Sequence, residues 1–186
     1  MYKLIIISGP SGAGKTTIIN KLLQQYPDRL ERIKTYTTRE PRGENHETTG
    51  EYEFVSTDNF QKFIEEKKLL EYDLVYGNYY GKSMENIEDI WSRGKAAIGT
   101  IDPLSIDKPE FHRHDSIIIF IDGNDTASLE NRLKKRHLGS ERIKKRLEKI
   151  PAEKEMAKYA DFSVANPENR LDDAVRACAK IIFSNA

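Results

Sequence analysis

Three residues into the chain, the aliphatic run Leu4-Ile5-Ile6-Ile7 passes through Ser8 into Gly9-Pro10-Ser11-Gly12-Ala13-Gly14-Lys15-Thr16. Those eight residues fit G-x-x-x-x-G-K-[ST], and apolar periodicity resumes at once with Ile18, Ile19, Leu22 and Leu23 at helical spacing. A strand, a glycine-rich turn and a helix in that order place the chain among α/β folds. The residue types explain the chemistry. Glycines let backbone N–H groups turn inward around phosphate oxygens, and the following helix presents its N-terminus to negative charge. Lys15 is placed to reach the β- and γ-phosphates of a nucleotide, and the Thr16 hydroxyl to bind Mg²⁺. A chance glycine-rich turn would require neither the strand before it nor the helix after it.

The rest of the chain keeps the same rhythm. Periodicity predicts further strands over 96–101, 116–121 and 162–164, with a weaker one over 53–55. It predicts helices over 17–24 and 56–68, a helical stretch over 125–159 broken near Gly139, and a terminal helix carrying Leu171, Val175, Cys178 and Ile182 on one stripe. Such alternation implies a parallel sheet covered by helices on both faces. Between residues 36 and 83 the rhythm weakens, and the segment is expected to be an inserted lobe of short antiparallel pieces.

Composition narrows the class. The 186 residues carry 30 Lys+Arg against 30 Asp+Glu, a formal net charge of zero that excludes a general nucleic-acid binder. One cysteine excludes a disulfide scaffold and suits a reducing compartment. No apolar run approaches the ~20 residues that span a bilayer. The expectation is a cytoplasmic chain acting on small molecules, with no nucleic acid and no membrane as partner. The neutral total hides a polarity. Segment 129–149 holds nine Lys/Arg against three Glu, about +6, whereas 47–76 holds eight acids against three lysines, about −5.

A phosphate cradle leaves the phosphoryl acceptor open, and the acceptor must be read elsewhere. Thr35-Tyr36-Thr37-Thr38-Arg39-Glu40-Pro41-Arg42 sets two arginines three residues apart on a segment stiffened by proline. Paired guanidiniums beside hydroxyls suit an oxyanion such as a monophosphate. Tyr52-Glu53-Phe54, Leu69-Leu70-Glu71 and Gly77-Asn78-Tyr79-Tyr80-Gly81 follow.

Together with the phosphate loop and a later arginine-rich segment, these residues resemble the guanylate kinase family over essentially the whole chain. The resemblance implies a P-loop parallel sheet core flanked by helices, an inserted NMP-binding lobe and a helical lid. Its implied boundaries are core 1–35, 84–128 and 159–186, lobe 36–83, and lid 129–158. The implied activity is transfer of the ATP γ-phosphoryl to GMP or dGMP, with ATP and Mg²⁺ as cofactors. Gly9, Ser11, Gly12, Ala13, Gly14, Lys15, Thr16, Thr17 and Asn166 are the implied donor-binding residues. Thr35, Arg39, Arg42, Tyr52 and Tyr80 are expected to hold the acceptor phosphate, and Glu71 to accept from the guanine N1–H and exocyclic amine. Asp102 is expected to make Mg²⁺–water or acceptor contacts. Arg132, Arg136 and Arg146, with Lys15 and Arg39, would neutralise charge on the transferring group.

The chain departs from the family's pattern at three places. Gly43-Glu44 follows Arg42 directly, and the loop to Tyr52 is longer. Thr100-Ile101-Asp102 keeps only the second acid of an Asp-x-Asp. Lys82 stands where the family offers Ser or Thr to the base. Either Lys82 donates to guanine O6 or N7, or it points to solvent while Ser83 takes over. Two other functions stay open at this point: a kinase for another nucleoside monophosphate or phosphorylated small molecule, and a non-catalytic phosphopeptide-binding module of the same fold. Retention of Gly14-Lys15-Thr16 argues against the second, because a binding module has no use for an ATP cradle.

Overall fold

The computed structural model describes residues 3–41, 51–75, 77–112, 115–123, 125–134 and 140–184. The opening run forms β1 (Leu4–Ser8), and the glycine-rich turn leads into α1 (Lys15–Gln25). After β2 (Leu30–Arg32) the chain leaves for a second sheet made of β3 (Thr35–Thr37), β4 (Tyr52–Phe54), β5 (Leu69–Val75) and β6 (Asn78–Ser83), with α2 (Thr57–Glu65) between β4 and β5. Helix α3 (Met84–Ser92) brings it back to β7 (Ala96–Thr100) and β8 (Ser116–Asp122). Helices α4 (Thr126–Lys134) and α5 (Ser140–Glu155), strand β9 (Phe162–Ala165) and α6 (Leu171–Phe183) complete the chain.

The main sheet has the order β2-β7-β1-β8-β9, and every pairing in it is parallel. Its central strands are apolar on both faces because both are covered. Ile5, Ile7, Ile117, Ile119 and Ile121 pack with Ile18, Ile19 and Leu22 of α1 and Val175, Cys178 and Ile182 of α6. Leu4, Ile6, Ile118 and Phe120 pack on the other side with Ile87 and Ile90 of α3. Alternation along each strand thus feeds two separate cores.

The second sheet has the order β4-β3-β6-β5. It contains the short antiparallel pieces expected, β3 with β6 and β6 with β5, and adds one parallel pairing, β3 with β4. Residues 38–51 join those two strands, a span that meets the dozen or so residues a parallel crossover needs. The sheet begins at Thr35 itself, one residue before the boundary read from the sequence. Helix α2 starts on a Ser56 cap that accepts from Asn59 N–H at 3.2 Å, and it buries Phe60 in a stack on Tyr79 with centroids 5.1 Å apart.

Two glycines of the loop after β1 are required by geometry. Gly9 has φ +133°, and a Cβ there would lie 2.2 Å from the Ile121 carbonyl oxygen. Gly14 caps α1 at φ +94°, where a Cβ would lie 2.5 Å from the Asn166 amide nitrogen. No other residue type fits either position without moving β8 or the Asn166 loop.

Candidate active site

The parallel strands bring Gly9, Asp102 and Asp122 to one end of the main sheet, the end where doubly wound folds place ligands. A cleft of about 270 Å³ opens there and continues onto the second sheet. Eight of the residues singled out in the sequence line it: Ser11, Lys15, Thr35, Tyr52, Glu71, Tyr80, Lys82 and Asp102. They come from segments far apart in the chain, and the folding of the second sheet against the phosphate loop is what assembles them.

On the loop side, Lys15 Nζ donates to the carbonyls of Gly9 and of Pro10, the latter at 3.0 Å. The ammonium is thus held at the mouth of the loop by oxygens that a phosphate can replace. Thr16 follows as a half-buried residue of the first helical turn. Among the described residues no three His, Cys, Asp or Glu side chains lie together as a metal cage. Mg²⁺ does not require one, since it is commonly held by one or two protein groups and substrate phosphates.

Residues of α4, α5 and the β9 exit brace the loop from outside. Arg132 donates to Asn166 O at 2.8 Å and to Gly12 O at 3.5 Å, and Asn166 Nδ2 donates to Ala13 O at 2.7 Å. With Gly12, Gly14 and Thr17 they line a second hollow of about 220 Å³ behind the loop. Arg146 donates to Ser11 Oγ at 3.3 Å. Arg42, Arg136 and Gly139, near which the helical stretch is expected to break, lie outside the described residues.

On the acceptor side, Tyr52 and Tyr80 meet edge to face with centroids 6.4 Å apart. Arg39 is absent from the cleft lining; its guanidinium lies 5.2 Å from the Tyr52 ring centroid and donates to Glu40 O at 2.7 Å. It therefore sits one side chain away from the cleft. Glu71 and Lys82 face each other across the β5–β6 pairing, and Nζ lies 3.0 Å from Oε1 with both side chains at 10% exposure or less. This settles one alternative against solvent: Lys82 is buried. Ser83 is not among the residues that line the cleft, and its hydroxyl caps α3 by accepting from Asn86 N–H at 3.4 Å. Asp102 lines the cleft and also caps the turn Pro103–Ser105, accepting from Leu104 N–H at 2.9 Å. Asp122 ends β8 and pairs with Lys154 at 3.3 Å.

Glu153 is among the lining residues that the sequence reading does not single out. Glu153 of α5 is 5% exposed and accepts from the Ser11 N–H of the phosphate loop at 3.2 Å. Its signal was available: Ile150, buried three residues earlier, marks the inward face of α5, and Glu153 shares it. Burial pushes its carboxyl above the usual range and Asp102 adds to this, while the Ser11 N–H and Lys15 pull it back. A carboxyl raised in the native state binds its proton more tightly there than in the unfolded chain. Stability therefore falls as pH rises from the ordinary carboxylate value through the native one, and the loss is complete above both. Glu153→Gln keeps an acceptor for Ser11 without the charge. It is expected to raise the Tm at neutral pH, by about 2–4 °C for each ~1 kcal/mol gained, and to flatten that pH dependence in thermal melts.

The guanylate kinase family model matches residues 1–185. The chain belongs to the guanylate kinase family. It is 40% identical over 152 residues to the guanylate kinase of Chlamydia caviae, covering 80% of this chain and 71% of that protein. With the Chlamydia pneumoniae guanylate kinase it is 37% identical over 186 residues, covering 98% and 87%. The crystal structure of a guanylate kinase from Anaplasma phagocytophilum superposes with a TM-score of 0.72 at 22% identity, covering 97% of this chain and 84% of that one. A shikimate kinase from Acinetobacter baumannii, in complex with shikimate, has a TM-score of 0.53 at 16% identity over 100% and 95% of the two chains, a likeness of fold alone. Guanylate kinase membership accounts for the parallel sheet flanked by helices and for the phosphate loop at its end.

Proposed function

We propose that the chain transfers the γ-phosphoryl of ATP to GMP or dGMP, releasing ADP and GDP or dGDP. The observation that carries this reading is that Lys15 of the phosphate loop and Glu71 of the second sheet line one cleft. The acceptor's phosphate oxygen attacks the γ-phosphorus as the bond to the β-phosphate oxygen breaks, and ADP leaves. That oxygen is already anionic, so positioning and charge neutralisation suffice and no general base is required.

In this reading Lys15 exchanges its two carbonyl partners for β- and γ-phosphate oxygens. Arg132 and Arg146, already against the loop, and Arg136 neutralise the equatorial oxygens. Arg39, Arg42, Thr35, Tyr52 and Tyr80 hold the acceptor phosphate, and Asp102 lines the same cleft. The Thr16 hydroxyl would hold Mg²⁺ together with the nucleotide phosphates, where the ion supplies further charge neutralisation. Gly12, Gly14, Thr17 and Asn166 line the hollow behind the loop and are assigned to the donor nucleotide. We assign residues 36–83 to an NMP-binding lobe, 129–158 to a lid that excludes water on closing, and the rest to the core. A cytoplasmic location accords with the single buried cysteine; among the described residues no helix is long and apolar enough to cross a membrane.

The test is an ADP-release assay against GMP, dGMP, AMP, CMP, UMP and a set of sugar phosphates. Turnover confined to GMP and dGMP is expected. Folded protein inactive on every acceptor, or equally active on AMP, would overturn the reading.

A further inference from the structure

We propose that Glu153 is a positioning residue for phosphoryl transfer: by holding the Ser11 N–H it fixes the peptide unit whose carbonyl presents Lys15 to the cleft. The inference rests on the phosphoryl-transfer reading above and adds how the loop's lysine is kept in place before the nucleotide arrives.

The Pro10 carbonyl and the Ser11 N–H belong to one peptide unit, and a trans peptide is a rigid plane with these two groups on opposite sides. On one side Lys15 Nζ donates to Pro10 O at 3.0 Å, and the Ala13 N–H donates to the same oxygen at 3.1 Å. On the other side the Ser11 N–H donates to Glu153 Oε2 at 3.2 Å. Turning the plane away from Glu153 would also turn the carbonyl away from the lysine. The restraint comes from outside the loop, from a residue 142 positions further along the chain.

Packing alone does not call for a carboxylate at this position. Ile150, three residues earlier, already anchors α5 in the core at 1% exposure. Burying a carboxylate costs stability, and desolvation raises this one despite the charge of Lys15 nearby. For the fold by itself an apolar residue would be favoured, so the contribution of Glu153 lies in what it touches. Arg146, two turns earlier on the same helix, reaches the same residue by donating to Ser11 Oγ at 3.3 Å. Helix α5 thus grips Ser11 at its backbone and at its side chain. Ser11, Lys15 and Glu153 all line the cleft, so the held peptide unit borders the space where phosphoryl transfer is assigned.

The test is a set of variants read in the ADP-release assay with GMP, each checked for folding by a thermal melt. Glu153→Met keeps the length of the side chain and removes the acceptor. It is expected to lower kcat about tenfold, the scale of one charge-assisted hydrogen bond, with KM for GMP unchanged. Glu153→Gln keeps an acceptor for Ser11 and should hold kcat within about threefold of wild type. In a Lys15→Ala background, Glu153→Met should cost less than about twofold, because the group that it positions is gone. A merely structural role would shift the melt and leave kcat alone. If Glu153→Met does not fold, Glu153→Ala, which admits water to the Ser11 N–H, takes its place in both backgrounds. Three results would each overturn the proposal: wild-type kcat in the folded Met or Ala variant, a Gln variant as impaired as that one, or a loss undiminished without Lys15. Failure of the functional reading is a different result, in which the wild-type protein itself does not turn over GMP.

Discussion

Lys15→Ala should lower kcat for phosphoryl transfer to GMP by about 10²–10³-fold, the cost typical of removing one preorganised electrostatic group from a transition state. Lys15 projects from the first residue of α1 into the cleft and is held there by two carbonyls of its own loop. In phosphoryl transfer the charge to be neutralised is spread over the γ-phosphate oxygens, and a lysine already placed costs no reorganisation during reaction. The carbonyls released by the substitution lie at the open mouth of the loop, where water can replace the ammonium. Thermal melts should therefore stay close to wild type while ADP-release kinetics collapse. Transfer retained within tenfold would remove the phosphate loop from the mechanism.

Glu71→Ala should damage both activity and stability. On the proposed function, activity falls because the base loses the carboxylate assigned to accept its two N–H groups; sites that read a substrate by hydrogen bonds discriminate by about 10⁴–10⁵ when a partner is missing. A fall of about 10³ or more in kcat/KM for GMP is the expected scale for losing this arm of the base contact. Stability falls because Lys82 keeps its burial without its partner, and breaking a buried pair from one side costs about 3–5 kcal/mol. The two effects separate in a double variant. Adding Lys82→Met to Glu71→Ala should recover much of the lost stability in urea unfolding while GMP turnover stays low. Additivity of the two substitutions in stability would show that the pair is not coupled.

The parts of the fold that are legible in the sequence are those whose burial is complete. Strands β1 and β8 read as unbroken apolar runs because helices cover both faces, and the glycine-rich turn between β1 and α1 admits one interpretation. The second sheet is harder to read because it is half solvated. Strand β5 mixes Glu71 and Asp73 with Tyr72 at 45% and Leu74 at 56% exposure, so no clean period of two survives. Helix α3 is acid-rich, and its start is marked only by the Ser83 cap. Within the site, residue types that have one use in such a loop, such as Lys15, are evident. Pairings across strands are not, because register depends on the bulge between Leu69 and Glu71. For the same reason the Glu71–Lys82 contact, and the reach of Glu153 from α5 to Ser11, emerge only from the folded chain.

The chain's one cysteine sits at 0% exposure on the α6 stripe, in the core shared with α1 and the central strands, and burial pushes its thiol up to about 12. At neutral pH a thiol reagent thus finds neither thiolate nor access while that core is closed. The rate at which the protein takes up such a label becomes a clock for core opening, with a single hand and no background from other cysteines. Nucleotides that bind the native state alone slow that clock by mass action, so labelling with and without ATP or GMP reads out their occupancy. The natural sequence already carries the reporter, and no residue need be altered to use it.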